Sequence, residues 1–240
     1  MKIIVQKYGG TSVGSIEKIK QIATNIKKLK KLQIVVVVSA MAGETDRLVG
    51  LINSLSKIPN EREYDQIIST GERVSAGLLA LALQSINVKS ITLDPFKLNL
   101  LTDNLHSKAS IISVDVKEIR KNLKSNHVVI IPGFQGINSD NEITTLGRGG
   151  SDLSAVAIAG ALKADRCELL KDDVDGVYTT DPRLYNKAKK IDYISYQEML
   201  EMSSLGSKVL QAKAVELANQ LNIKLYVKST FENKKKGTWV

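Results

Sequence analysis

The chain has 240 residues, 43% of them hydrophobic, which suits one large α/β domain or two closely packed lobes. The single cysteine, Cys167, excludes an internal disulfide, and the apolar runs of MKIIVQKYGG and of the remaining chain are too short for a signal peptide or a membrane helix, so we expect a cytoplasmic protein without a membrane partner. The net charge of +9 lies largely in lysine runs without interleaved aromatic residues, which favours solvated surfaces over a nucleic-acid site.

The first half of the chain alternates apolar runs with helical patterns. Residues 3–5 predict a buried strand, 15–31 predict a helix with isoleucines at helical spacing, and IVVVV at 34–38 predicts a strand buried on both faces. The elements predicted next are helices over 45–57 and 61–86, strands over 90–93 and 110–114, a helix from a capping box of Asp115 and Glu118 to about residue 125, and a strand over 128–131.

The second half continues the alternation. A polar turn at 138–141 joins two short strands, and the elements after it are a helix over 151–163, a strand over 167–170, a helix over 207–221 and a strand over 223–227. This order predicts a three-layer αβα sandwich with a central, mainly parallel sheet. We expect a division into lobes of about 1–140 and 141–240 within a single domain.

A glycine-rich turn follows the first strand and precedes the first helix. Its sequence is KYGGTSVG, from Lys7 to Gly14. Glycines let backbone amides approach phosphate oxygens closely, and a helix N-terminus adds a favourable dipole. Lys7 adds a full positive charge at the strand end. The turn therefore predicts a phosphate site, with a plain strand-to-helix turn as the alternative.

Two further loops stand at predicted strand ends, where ligands of open α/β sheets bind. Residues 39–45 supply small side chains and hydroxyls that suit an anion or an amino acid, or a turn that packs against the first loop. In the loop 144–152, Arg148 between glycines offers a planar fork for a carboxylate or a phosphate. Asp152 at the next helix start also fits a simple capping role.

Other nucleotide and catalytic signatures are missing from the sequence. It contains no G-x-x-x-x-G-K-[ST], and no G-x-G-x-x-G in the required context. His106 and His127 are isolated and predicted to be structural or on the surface, and Cys167 is predicted to lie in the core. These patterns disfavour a Walker-type ATPase and a dinucleotide dehydrogenase.

Five segments occur in an order and at spacings that resemble the aspartate kinases of the amino-acid kinase superfamily. They are KYGGTSVGS, VVVVSAMAGETDRL, STGERVSAGLLA, TTLGRGGSDLSA and DDVDGVYTTDPR. SLGSKVLQAKAVELA and the closing VKSTF and GTWV extend the resemblance over nearly the whole chain. GRGGSD recurs across the superfamily and indicates only the fold, whereas KYGGTSVG, STGERVSA and DVDGVYTTDPR are much more specific.

The resemblance implies ATP-dependent phosphorylation of the β-carboxylate of L-aspartate, the first step toward lysine by way of diaminopimelate, threonine and methionine. The catalytic residues that it implies are Lys7, Asp152 and Lys208. The implied substrate-binding residues are Ser39, Thr45, Glu72, Arg148 and Ser151. The implied nucleotide-binding residues are Lys7, Tyr8, Gly9, Gly10, Asp172, Asp173, Tyr178, Arg183 and Lys208. Mg²⁺ would be held mainly by the ATP phosphates and water, without a protein ligand.

The residue types agree with this chemistry. Glu72 can pair with the ammonium of aspartate and Arg148 with its α-carboxylate, which leaves the β-carboxylate free to attack. That carboxylate has a pKa of about 4, so it needs no general base at neutral pH. Asp152 would orient the lysines that stabilise the transferring phosphoryl group. By residue type alone, however, Glu72 predicts a surface carboxylate paired with Arg73.

Two departures from the family pattern stand out. Lys171 and Asp172 replace an aromatic residue and a threonine before DVDGV, and the chain stops at Val240, where family members continue into regulatory ACT domains that often build a dimer. A catalytic module without feedback control and a fragment both fit, and a homodimer stays open. The alternative functions are kinases of acetylglutamate, glutamate, carbamate or UMP, and an inactive nucleotide-binding subunit, which the presence of Lys7, Asp152 and Lys208 disfavours.

Overall fold

The protein is described from a computed structural model that covers residues 1–29, 31–207, 209–232 and 235–240. Its strands, in chain order, are β1 (Lys2–Tyr8), β2 (Leu32–Val38), β3 (Ser90–Thr92), β4 (Leu100–Thr102), β5 (Ile111–Val114), β6 (Val128–Pro132), β7 (Gln135–Ile137), β8 (Ile143–Thr145), β9 (Arg166–Lys171), β10 (Val177–Tyr178), β11 (Lys190–Ile191), β12 (Leu225–Ser229) and β13 (Thr238–Trp239). Its helices are α1 (Ile16–Lys27), α2 (Glu44–Leu55), α3 (Glu61–Ile68), α4 (Thr70–Gln84), α5 (Pro95–Leu98), α6 (Lys117–Lys124), α7 (Gly150–Leu162), α8 (Tyr196–Ser204) and α9 (Ala212–Gln220).

The central sheet has the spatial order β13-β12-β9-β1-β2-β6-β3 within the described residues. Every neighbouring pair is parallel except β12 with β13. The β-branched run of β2 is buried on both faces, as the sequence predicted, because helices cover both sides of the sheet. The mainly parallel sheet is thereby confirmed.

Alternate side chains of the strands feed two separate cores. Ile4 and Val36 pack with α1 and α4 on one face, whereas Val5 and Val35 pack with α7 and α9 on the other. This two-sided packing confirms the predicted three-layer αβα arrangement. Cys167 lies fully buried in the second of these cores, as predicted, and burial raises the pKa of its thiol. No helix within the described residues is long and apolar enough to cross a membrane.

A smaller sheet, in the order β5-β4-β7-β8, lies beside the central one. The predicted polar turn joins β7 to β8, and the Asn138 side chain accepts hydrogen bonds from the amides of Asp140 and Glu142 at 3.0 and 2.9 Å. Asp65 of α3 is completely buried and accepts bonds from the amide and the hydroxyl of Thr145 at 2.9 and 2.6 Å. This carboxylate fixes α3 to the smaller sheet. The division into lobes stays a prediction.

The predicted helix over 61–86 is instead broken at Ser69 into α3 and α4. The Ser69 and Thr70 hydroxyls donate to carbonyls of the preceding turn, and the side-chain Nε2 of Gln135 donates to the Ser69 carbonyl at 3.0 Å. Such bonds compete with the regular helical pattern. The break turns the start of α4 toward the carboxyl end of β2.

Two other helix predictions were wrong in detail. α6 begins at Lys117, so Asp115 precedes the N-cap and accepts from the Lys117 amide rather than forming a capping box with Glu118. The predicted helix over 207–221 is helical only over Ala212–Gln220 within the described residues. The sequence reading also missed α8, which starts with a capping box of Ser195 and Glu198.

Candidate functional site

The carboxyl ends of β1, β2, β6 and β9 lie side by side, since these strands are parallel neighbours. Two of the loops that follow them are in backbone contact. The Ser39 amide donates to the Tyr8 carbonyl and the Ala42 amide to the Gly10 carbonyl, both at 3.1 Å. A Cβ on Gly10 would lie 2.7 Å from the Ala40 carbonyl oxygen. Only glycine permits this approach, so the first two predicted loops form one packed surface.

A buried ion pair stands at the centre of this edge. Lys7 of β1 and Asp152 of α7 are 6% and 4% exposed, and the Lys7 Nζ lies 2.6 Å from the Asp152 Oδ1. The other carboxylate oxygen, Oδ2, is 3.2 Å from the Nζ of Lys171, the last residue of β9. One carboxylate thus holds two ammonium groups in a fixed position.

Burial and charge oppose each other in this cluster. Burial by itself would raise the pKa of Asp152, but the two lysines outweigh it and lower that pKa to about 2. Burial lowers the pKa of Lys7, and Lys171 lowers it further, while Asp152 acts in the opposite direction. An anion that enters beside Lys7 favours its charged form, so the cluster is suited to binding a negatively charged group.

A cavity of about 300 Å³ opens beside the ion pair. The residues predicted for the acceptor side and for catalysis that line it are Lys7, Ser39, Thr45, Glu72, Arg148, Ser151 and Asp152. They come from four separate segments of the chain, and the structure brings them together around one space.

Glu72 is buried at 4% exposure near the start of α4, so the surface pairing with Arg73 is wrong. Its Oε1 accepts from the Ala40 amide at 3.0 Å, whereas Oε2 has no hydrogen-bond partner among the residues that the structure describes. Arg73 instead donates to the Gln135 side chain. Burial raises the pKa of Glu72 to about 7, against the opposing effects of the Ala40 amide and Lys7. The unpaired oxygen provides an acceptor for a cationic group.

Arg148 is exposed and lines the same cavity. Gly147 and Gly149 on either side of it have φ angles of +71° and +78°, which other residues adopt only with strain. The N-cap of α7 is Gly149, which carries no side-chain cap, so Asp152 does not serve as the predicted capping residue. Gly150, Ser151 and Asp152 of the first turn of α7 line the cavity together with Arg148.

A second cavity, of about 540 Å³, lies beyond the end of β9. Asp173, Tyr178 and Arg183 line it, as expected for one common binding region. The Tyr178 hydroxyl donates to the Asp175 Oδ1 at 2.7 Å, and this bond and burial raise the pKa of Tyr178 to about 12. Arg183 pairs with Asp181 at 2.8 Å on the exposed rim. The space is large enough for a nucleotide.

Several predicted site residues lie elsewhere. The Tyr8 side chain is 2% exposed in the core, its hydroxyl donates to the Gln6 side chain, and Tyr8 lines neither cavity. Asp172 does not line the second cavity and instead pairs with Lys18 at 2.6 Å. Gly9 and Gly10 form the turn above Lys7, whose Nζ lies 3.9 Å from an ideal Cβ on Gly9. Lys208 lies outside the described residues.

The sequence reading gave no site role to Lys171 or Gln211, yet both line the first cavity. Lys171 ends a buried strand at the edge used by Lys7, and this shared position was the signal that could have found it. Gln211 precedes α9, and an ideal Cβ on Gly149 would overlap its Cγ. No sequence pattern predicted that long-range contact.

The sequence was compared with known families and proteins. A model described as the amino acid kinase family matches residues 2–229. The chain belongs to the amino acid kinase family. The match includes both cavities and every predicted site residue, so the family assignment covers the whole of the candidate site.

Relatives within this family include proteins named aspartokinase. That of Pseudomonas aeruginosa is 50% identical over 234 residues, which are 97% of this chain and 57% of the relative. That of Helicobacter pylori is 52% identical over 240 residues, or 99% of this chain and 59% of the relative. The chain therefore spans less than two thirds of the length of these relatives.

Solved structures of the family are also similar. The aspartate kinase from Synechocystis has a TM-score of 0.88 and 44% identity, over 99% of this chain and 39% of that protein. Aspartokinase III of E. coli, solved in complex with aspartate and ADP, has a TM-score of 0.86 and 28% identity, over 100% of this chain and 64% of that protein.

Proposed function

We propose that the protein transfers the γ-phosphoryl group of ATP to the β-carboxylate of L-aspartate, giving 4-phospho-L-aspartate and ADP. The observation that carries this proposal is the buried cluster of Lys7, Asp152 and Lys171, which lines an acceptor-sized cavity and reaches a nucleotide-sized cavity through Lys171. Similarity to aspartokinases supports the choice of acceptor. The product would feed the synthesis of lysine, threonine and methionine.

The acceptor cavity suits the three charged groups of aspartate. The unpaired Oε2 of Glu72 would accept from the ammonium, and the exposed guanidinium of Arg148 would bind the α-carboxylate in a bidentate manner. Ser39, Thr45 and Ser151 would contribute hydroxyl groups to the remaining oxygens. The β-carboxylate is then directed toward Lys7.

The transfer needs no proton to be moved. The ionised β-carboxylate oxygen forms a bond to the γ-phosphorus, and the bond from that phosphorus to the bridging oxygen breaks, with its electron pair leaving on ADP. Negative charge on the phosphoryl oxygens would be stabilised by Lys7 and by the amides of Gly9 and Gly10. Asp152 keeps the lysines in place, and its low pKa means that it stays ionised.

The nucleotide would occupy the larger cavity, with Asp173, Tyr178 and Arg183 at its walls. Among the described residues no group of three or more His, Cys, Asp or Glu side chains could hold a metal ion. Magnesium would be bound mainly by the phosphates of ATP and by water, where it neutralises part of their charge. Lys208 belongs to the proposal through the family resemblance alone.

The deciding experiment traps the acyl phosphate with hydroxylamine. Purified protein with ATP and Mg²⁺ should give a hydroxamate with L-aspartate, and none above background with N-acetylglutamate, glutamate or UMP as acceptor. ADP formation measured in parallel reports transfer to UMP, which makes no hydroxamate. A signal with N-acetylglutamate and none with aspartate would overturn the proposed acceptor.

A further inference from the structure

Lys171 has a backbone position that is fixed from both sides. It ends β9, which lies between β1 and β12, and it pairs in register with Ser229 of β12. The Thr230 amide donates to its carbonyl oxygen at 2.7 Å. Its side chain therefore leaves the sheet at a defined point on the carboxyl edge.

The ammonium group of Lys171 shares a carboxylate with Lys7. Its Nζ lies 3.2 Å from the Asp152 Oδ2, and only 17% of its side chain is exposed. Two ammonium groups thus face a single carboxylate in a largely buried region. An anion bound beside them would offset the charge by which the two ammonium groups exceed that carboxylate.

Lys171 is also the one residue, among those that the structure describes, that lines both cavities. Its side chain is therefore within reach of a group bound in either cavity. The γ-phosphoryl group that moves from ATP to the acceptor is negatively charged. It would supply the negative charge that the cluster of Lys7, Asp152 and Lys171 lacks.

We propose that Lys171 is a catalytic residue that binds the γ-phosphoryl group directly and stabilises it during transfer, an inference that rests on the proposed kinase activity. The ammonium of Lys171 donates to a non-bridging oxygen of the γ-phosphoryl group while the bond to the acceptor oxygen forms and the bond to ADP breaks. Lys7 and Lys171 then hold the phosphoryl group from two sides, with Asp152 between them.

The competing explanation gives Lys171 a positioning role, in which it only orients Asp152. The two roles differ in how nucleotide binding depends on the γ-phosphate. A direct ligand favours ATP over ADP, whereas a residue that only orients Asp152 would affect catalysis without this preference for ATP.

The test uses the variants Lys171→Met, Lys171→Gln and Lys171→Arg of the full chain. Lys228→Met is the matched control, because Lys228 lies on the adjacent strand, its Nζ is 3.1 Å from the Glu168 Oε2, its side chain is 27% exposed, and it lines neither cavity. Calorimetric titration with ATP and with ADP, each with Mg²⁺, gives the affinity ratio, and thermal unfolding reports whether each variant folds.

We expect Lys171→Met and Lys171→Gln to bind ATP about 10- to 100-fold more weakly, with ADP affinity changed less than about threefold. Turnover should fall about a hundredfold, and Lys171→Arg should regain part of both losses. Lys228→Met should keep the wild-type ATP-to-ADP ratio and turnover.

Equal losses for ATP and ADP, or normal ATP affinity in both neutral variants, would overturn the direct role of Lys171. If the neutral variants do not fold, the ATP-to-ADP ratio of Lys171→Arg decides, because a longer and differently shaped cation at a direct contact must change it. The two proposals can fail separately. If the ATP-to-ADP affinity ratio depends on Lys171 but the wild-type protein forms no aspartyl hydroxamate, the proposed acceptor is wrong and the role of Lys171 stands. Absence of any nucleotide binding would overturn both.

Discussion

Glu72 is a buried carboxylate in the wall of the first cavity. Burial raises its pKa to about 7, and one carboxylate oxygen has no partner among the described residues. An ammonium group bound there would stabilise the charged form and lower that pKa again. Ionised Glu72 therefore destabilises the free protein, and a bound cation would offset that destabilisation.

The first prediction concerns acceptor binding. Because the ammonium requires ionised Glu72, the KM for aspartate should fall about tenfold between about pH 6 and about pH 8, in step with ionisation of a group of pKa about 7. Glu72→Gln should raise KM at pH 8 and remove this pH dependence. Initial rates at varied aspartate and saturating ATP provide the measurement, and a pH-dependent KM retained in Glu72→Gln would assign the titration to another group.

The second prediction concerns stability at the same residue. A carboxyl group whose pKa is higher in the folded than in the unfolded protein destabilises the fold as pH rises from its ordinary pKa of 4.5 to about 7. Glu72→Gln should thus be more stable than wild type at about pH 8, by up to about 3 kcal/mol, and similar to it near pH 4. Urea unfolding at both pH values measures the difference. Equal stability at high pH would show that Glu72 is not a buried charge.

The third prediction concerns Lys7. Lys7→Met keeps the length of the side chain and removes its charge, so turnover should fall at least about a hundredfold. Lys2→Met is a suitable control, because Lys2 lies at the opposite, exposed end of the same strand. Near-normal turnover of Lys7→Met in the hydroxamate assay would exclude Lys7 from the chemical step.

At the scale of elements, the site depends on contacts between loops. The turn after β1 and the loop after β2 touch through backbone atoms at Gly10 and Ala40. The broken helix at Ser69 then brings Glu72 against the Ala40 amide. Three segments distant in sequence thereby support the same cavity wall.

The fourth prediction tests this contact with a pair of glycine substitutions. A methyl group on Gly10 would lie 2.7 Å from the Ala40 carbonyl oxygen, so Gly10→Ala should separate the loops, destabilise the protein by about 1–3 kcal/mol and lower turnover. Gly50→Ala is the control, because Gly50 lies within α2 with no atom within 4 Å of an ideal Cβ. It should stabilise by up to about 1 kcal/mol. Wild-type stability and turnover of Gly10→Ala would contradict the packed-loop account.

At the scale of the whole molecule, the net charge of +9 attracts anionic substrates such as ATP toward the protein. Exposed cations are screened by salt far more than the buried cluster at Lys7. Raising the ionic strength from about 0.05 M to about 0.5 M should therefore lower kcat/KM for ATP roughly fivefold, with kcat nearly constant. Steady-state rates in KCl, with a neutral osmolyte as control, measure this effect, and an equal fall in kcat would indicate damage to the site itself.

The sequence predicted the sheet and the edge at which the site lies, because β-branched strands and glycine turns are encoded locally. It predicted a common cavity for Ser39, Glu72 and Arg148 only through family resemblance, since residue type placed Glu72 on the surface. The break at Ser69 was missed because the Gln135 side chain that donates to its carbonyl comes from a distant strand. Lys171 was missed as a site residue for a similar reason, since its partner Asp152 lies on another element.

The close contact of Gly10 with Ala40 also limits how such a protein can evolve. A change of acceptor that required the main chain to move near either residue would disturb the phosphate turn at the same time. Variation is freer in side chains that point into the cavity, such as Ser39 and Thr45, because they leave that backbone contact intact. New acceptor specificities are therefore expected to arise by exchange of these side chains, while the two loops that carry them keep their conformation.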